Sequence, residues 1–383
     1  MQVYLDHNAT SPLRPKAREA VLAALSTGNA SSVHSIGRAA RAWVESAREQ
    51  VAALVGADPR AVTFTSGATE SIALALSPDM EIDGRPVRFD TLLVSGVEHP
   101  AVRAGGRFAA DRIEIIPVDS DGIVDLIGLG ALMGGRRALV SVMAANNESG
   151  AIEPVRTIAD LVRGAGGVFH CDAVQIVGRM PFDLENSGAD LISISSHKLG
   201  GPQGAGALIA RDDRIRIPPL LRGGGQERGR RAGTENVAAI AGFGAAADEA
   251  RRNGAAESAH VAALRDRLEA GIRAVAPDVT ILSANATRLP NTTCFATPGI
   301  AAETAVIAFD LEGVAVSAGS ACSSGKVGPS QALKAMQVAP QIAHGAVRAS
   351  LGWNSTEADV DRFLEVWARV HAALTERRAT KAA

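Results

Sequence analysis

Only five lysines serve this chain of 383 residues, and one of them, Lys198, stands in Ser195-Ser196-His197-Lys198-Leu199-Gly200-Gly201 directly after an apolar run. Lysine is rarely buried unless it is paired or functional. A desolvated amine has a lowered pKa, which suits Schiff-base chemistry. A lysine that merely reaches solvent needs no Ser-Ser-His beside it. Asp172, in Cys171-Asp172-Ala173-Val174-Gln175, also follows an apolar run. It reads either as a helix cap or as the anion that holds a cationic ring nitrogen. Ser66-Gly67-Ala68-Thr69-Glu70 leads into an apolar helical stretch. Its glycine, its helix-start N–H groups and the Thr69 hydroxyl suit a phosphate, and would equally suit a simple helix cap.

The elements that must carry these residues are strands of a mostly parallel sheet. Ala61–Thr65, Thr91–Ser95, Ala138–Val142, Gly167–His170 and Leu191–Ser195 are short apolar runs separated by helical patterns such as Val155–Val162. Runs that do not alternate with polar residues are expected where both faces of a sheet are covered, and strand-helix alternation implies βαβ units. Gly206–Ala210 follows too closely for a crossover helix and predicts one antiparallel strand. In such sheets ligands bind beyond the carboxyl ends of the strands, where Thr65, Asp172 and Lys198 fall. A long Ala-rich helix is expected from about Glu235 to Val275. Shorter mixed elements after Pro277 predict a second α+β domain, with the boundary near residue 255.

Composition excludes several classes. Thirty-nine Lys+Arg against 41 Asp+Glu leave no basic excess for a nucleic-acid binder. No apolar run reaches the ~20 residues of a membrane span, and the first residues do not read as a signal peptide. Three cysteines without a C-x-x-C, Cys171, Cys294 and Cys322, predict a reducing cytoplasm. Gly319 to Lys326 is too long for a P-loop, no G-x-G-x-x-G follows a strand, and no H-E-x-x-H occurs.

Tyr4-Leu5-Asp6-His7-Asn8-Ala9-Thr10, Ser66–Ser71, Glu98-His99, Asn146-Asn147-Glu148, Asp172–Gln175, Ser196-His197-Lys198, Gly223–Glu227, Arg231–Thr234 and Ser317–Gly325 stand in one order along the chain. In that order they resemble the cysteine desulfurases, pyridoxal-phosphate enzymes of the class V aminotransferase group. The branch resembled supplies sulfur for iron–sulfur cluster and nitrogenase assembly. The resemblance implies an aspartate-aminotransferase-like α/β fold with a seven-stranded, mostly parallel sheet flanked by helices. It would divide into an N-terminal segment (1–15) joining a small domain, a large cofactor-binding domain (16–255) and a small α+β domain (256–383) carrying a cysteine loop.

It also implies roles. Lys198 would hold the cofactor as a Schiff base and move protons, Asp172 would pair with the pyridine nitrogen, and Gln175 would bond the ring hydroxyl oxygen. His99 would stack on the ring and transfer protons. Ala68, Thr69, Ser195, Ser196 and His197 would bind the cofactor around its phosphate, with Thr234 reaching across from a second subunit of a homodimer. Asn147 would lie near cofactor and substrate, and Arg348 would bind the carboxylate of L-cysteine. Cys322, among Gly, Ser and Ala, would accept the sulfur as a persulfide while L-alanine leaves. Through that persulfide it would be a transient iron–sulfur ligand, passing sulfur to an iron–sulfur scaffold or other acceptor protein. Cys171 and Cys294 read as structural. Another reaction on the same cofactor, such as selenocysteine lysis or transamination, and a sulfur carrier without catalysis remain as alternatives.

Overall fold

The computed structural model describes residues 2–319 and 330–382, with side chains through residue 376. The large layer is a seven-stranded sheet of β1 (Val62–Thr65), β2 (Leu92–Ser95), β3 (Ile113–Ile116), β4 (Leu139–Met143), β5 (Val168–Asp172), β6 (Leu191–Ser195) and β7 (Gly206–Ala210). Their spatial order is β1-β7-β6-β5-β4-β2-β3. Strand β7 is antiparallel to both neighbours and the other pairings are parallel. Both faces are covered, and the side chains alternate between two cores. Leu92, Val94, Leu139 and Val168 pack on one face, while Leu93, Val140, Val142 and Phe169 pack on the other. That explains the unbroken apolar runs of the sequence. Strand β3 reads less clearly because it lies at the sheet edge and carries Glu114.

Helix α1 (Ser35–Leu54) buries Gly37, Ala40, Val44, Ala47 and Val51, one stripe at three- and four-residue spacing. It crosses helix α2 (Val237–Val275), whose Gly244 lets the backbones meet: a Cβ there would sit 2.5 Å from the Ala47 Cα. Helix α2 serves two cores. Its Val237–Ala247 stretch packs with the sheet, whereas Val261, Leu264, Leu268 and Ile272 pack with the second layer. We propose the domain division at residue 255 as this change of partners inside one continuous helix.

The second layer is an antiparallel sheet of β8 (Thr280–Ile281), β9 (Thr292–Ala296), β10 (Ser317–Ala318) and β11 (Ala346–Ser350), in the order β8-β9-β11-β10. Phe309 stacks on Phe363 at 4.9 Å and on Trp367 at 6.0 Å beneath it. The chain start joins this layer: Val3–Tyr4 pairs in parallel with Val314–Ala315, and Asp6 bridges to Ser350. The segment that follows, residues 6–10, therefore runs between the two layers. Among the described residues no helix is long and apolar enough to cross a membrane.

Candidate active site

A cleft of about 410 Å³ opens at the carboxyl ends of β1, β2, β4, β5 and β6. Strand β6 ends at Ser195, and a single 3-10 turn, Ser196–Lys198, brings the lysine to its wall. The Lys198 Nζ donates to the carbonyl oxygens of Asn8 and, at 2.7 Å, of Ala9. Residues 6–10 are fixed in turn by Asn8, whose Nδ2 donates to the Thr292 Oγ1 at 2.9 Å and to the Asn147 carbonyl at 3.1 Å. His197 Nδ1 lies 3.1 Å from the Thr10 hydroxyl, and burial with the nearby Lys198 charge lowers its pKa to about 4. Ser195 and His197 line the cleft. Ser196 does not: its buried hydroxyl has no partner among the described residues.

Asp172 ends β5, where its Oδ1 accepts the Val174 N–H at 3.0 Å. Burial pushes its carboxyl up to about 6, against the pull of that N–H and of Lys198. His99 caps the short helix Pro100–Arg103, its Nδ1 accepting the Ala101 N–H at 3.1 Å. Pro100 suits the first helical position, where its missing N–H is no loss. With Nδ1 an acceptor, the neutral ring carries its proton on Nε2, and burial beside Lys198 lowers the pKa so that neutrality persists. Gln175 also lines the cleft; its Nε2 donates to the Asn8 carbonyl at 3.0 Å and its Oε1 accepts from Arg179.

Helix α3 (Ala68–Ala75) starts at the cleft, with Ala68 and Thr69 among its lining residues. Close approach makes this turn: a Cβ on Gly206 would sit 2.6 Å from the Gly67 carbonyl carbon and 2.9 Å from the Ala68 nitrogen. Three kinds of group that pyridoxal phosphate requires are therefore together: an amine, a buried carboxylate with no ion-pair partner within 4 Å among the described residues, and a helix start with a hydroxyl.

Besides Ser196, two expected residues do not line the cleft. Arg348 is buried, but its anion is Asp6 of this chain, held by Nη2 at 2.7 Å, and its Nη1 donates to the Asn147 carbonyl at 2.9 Å. It lies behind the cleft wall that Asn147 forms. Thr234 is exposed in a neighbouring pocket of about 210 Å³ that shares Ser66 and Gly204 with the cleft. Cys322 lies outside the described residues. The other two thiols are buried, and burial raises Cys294 to about 12 and Cys171 well above its ordinary value, so neither is a ready nucleophile.

Sequence reasoning gave no role to Asn8 and Ala9, whose backbone carbonyls hold the lysine, nor to Arg179, which ties Gln175 to the His7 carbonyl at 3.0 Å. The Tyr4–Thr10 motif was their signal. Glu227 was also missed. It forms a bidentate pair with Arg48 at 2.8 Å and accepts the Phe64 N–H at 2.9 Å, pinning the glycine-rich stretch before Thr234 to edge strand β1.

Comparison with known proteins agrees over nearly the whole chain. The family described as Aminotransferase class-V matches residues 3–363. A cysteine desulfurase of Gluconacetobacter diazotrophicus is 42% identical over 382 residues, 98% of this chain and 94% of its own. The cysteine desulfurase NifS of Azotobacter vinelandii is 42% identical over 368 residues, 94% of this chain and 90% of its own. A solved NifS-like protein from Rickettsia africae superposes with a TM-score of 0.87 at 34% identity, covering 97% of this chain and 100% of that one.

Proposed function

The chain belongs to the aminotransferase class-V family and within it to the cysteine desulfurases, and from that premise we propose that its cleft binds pyridoxal 5'-phosphate and takes sulfur from L-cysteine, leaving L-alanine. The observation that carries this reading is the convergence of Lys198, Asp172, His99 and the α3 helix start on one cleft. When bound, pyridoxal phosphate supplies an aldehyde that captures an amine and a cationic ring that withdraws electrons from the adjacent carbon.

The residues of this chain do the rest. The α3 start, Thr69, Ser195 and His197 hold the phosphate, completed by Thr234 of a second copy in a homodimer. Asp172 keeps the ring nitrogen protonated, because a charge opposite a buried carboxylate is the stable arrangement. The two carbonyls on Lys198 fix its Nζ as a proton carrier, and the Nε2 of neutral His99 gives the cleft a second donor. Asn147 orients the substrate carboxylate from the cleft wall, and Arg348 joins it by exchanging Asp6, its partner behind that wall, for the substrate. Cys322 takes the sulfur: its thiolate attacks the substrate sulfur, the carbon–sulfur bond breaks, and an S–S bond forms on the protein. That persulfide then serves an acceptor of the cytoplasm, an iron–sulfur scaffold or another sulfur-acceptor protein. Lys198→Ala tests the reading: the variant purifies without the yellow absorbance of the wild type and forms no alanine. A yellow, alanine-forming variant would overturn it.

A further inference from the structure

Glu98 is 4% exposed, yet no basic side chain pairs with it among the described residues. One oxygen does all its bonding. Oε1 accepts the Ser95 hydroxyl at 2.8 Å and the Met143 backbone N–H at 2.6 Å, while Oε2 is buried without a partner. Met143 is the residue of β4 that stands in register with Asp172 of β5. Glu98 thus ties the turn that carries His99 to the strand beside the carboxylate of the cleft. Burial and two further acids, Asp172 and Glu153, favour its protonated form, against the pull of the Ser95 and Met143 bonds. Lys198 lowers Asp172, favouring its ionised form.

Resting on the reading that this cleft binds pyridoxal phosphate, we propose that Glu98 is a positioning residue that works as a neutral carboxylic acid, holding the carboxyl end of β4 and leaving Asp172 as the ionised carboxyl beside it. A carbonyl oxygen has two lone pairs, so a neutral Glu98 makes both observed bonds through Oε1. The atom left without a partner is then a hydroxyl, which costs far less in a dry site than an unpaired charge. An ionised Glu98 would place a second negative charge near Asp172 and disfavour the ionised Asp172 that a protonated ring nitrogen requires opposite it. Two carboxyls in one site are held in different states by their surroundings.

Infrared difference spectra of the wild type minus Glu98→Gln test the protonation at neutral pH, with and without cofactor. The expected difference is a protonated-carboxyl stretch above the amide band, present in both forms and retained in the Asp172→Asn background. Carboxylate bands in its place would overturn the proposal. Hydrogen exchange of the Met143 amide tests the positioning. Glu98→Ala accelerates it about tenfold or more, as loss of one such bond requires, and Glu98→Gln restores it to within about threefold. Exchange that is no faster in Glu98→Ala would overturn the positioning role. Alanine release from L-cysteine is measured in the same wild-type preparation and reads the proposed function separately from the state of Glu98.

Discussion

Removing Glu227 offers a test of how the β1 end of the cleft is built. The Arg48 and Glu227 side chains are 4% and 2% exposed and share two contacts of 2.8 Å. Arg48 also donates to the Val62 carbonyl at 3.0 Å and lies 4.9 Å from the centre of the Phe64 ring. Glu227 satisfies the Phe64 N–H on the open side of edge strand β1, so the carboxylate covers an edge as well as a charge. Glu227→Ala would break the bidentate pair and orphan the Phe64 N–H, leaving the buried guanidinium only the part-exposed Glu45 at 3.1 Å from its Nε, a change that costs about 3–5 kcal/mol. At about 2–4 °C per kcal/mol for a domain of this size, the Tm of the large domain should fall by roughly 6–20 °C. Arg48→Met combined with Glu227→Leu removes both buried charges and should recover at least about 1 kcal/mol relative to Glu227→Ala, because only the Phe64 and Val62 backbone groups and the part-exposed Glu45 then lose partners. Calorimetry of the cofactor-free protein reads both values. A loss below about 1 kcal/mol in Glu227→Ala, or a double variant no more stable than the single, would refute this account of the pair.

Asp172→Asn should weaken retention of pyridoxal phosphate by about 10–100-fold, the worth of one hydrogen bond to a charged group, as read by dialysis and absorbance. Gly206→Ala should push the Gly67–Ala68 turn aside, lowering stability by about 1–3 kcal/mol in urea and loosening the cofactor, whereas an unchanged protein would mean that the turn has room. Glu153 accepts the Val124 N–H and is pushed up to about 8 by burial. The folded state therefore binds its proton more tightly than the unfolded state does. Its contribution is most favourable below about pH 4.5 and is lost as pH rises through about 8. Glu153→Gln should remove that downward slope from the urea stability of the apoprotein, and an unaltered slope would contradict it.

The strands of the sheet were legible because each is buried on both faces and so reads as an unbroken apolar run. Edge strand β3, with Glu114, was not. The cleft was legible where a titratable side chain ends or follows a strand, as Asp172 and Lys198 do. It was not legible where backbone does the work: the carbonyls of Asn8 and Ala9 leave no mark on the residue types that supply them. Ser196 and Arg348 show the opposite difficulty. Their types suit the site, but a 3-10 turn moves the Ser196 side chain out of the cleft lining, and Asp6, 342 positions from Arg348, meets the guanidinium first. Glu98 and Glu227 take their meaning from strands far along the chain, Met143 and Phe64, whose pairing only the folded sheet reveals.

Alanine release from L-cysteine in the presence of a reductant, compared between the wild type and Cys322→Ala, addresses the central claim most directly. The account predicts that both proteins keep the yellow cofactor and that only the wild type forms alanine. Equal alanine release from both would contradict it, because the sulfur would then leave without Cys322 as its acceptor.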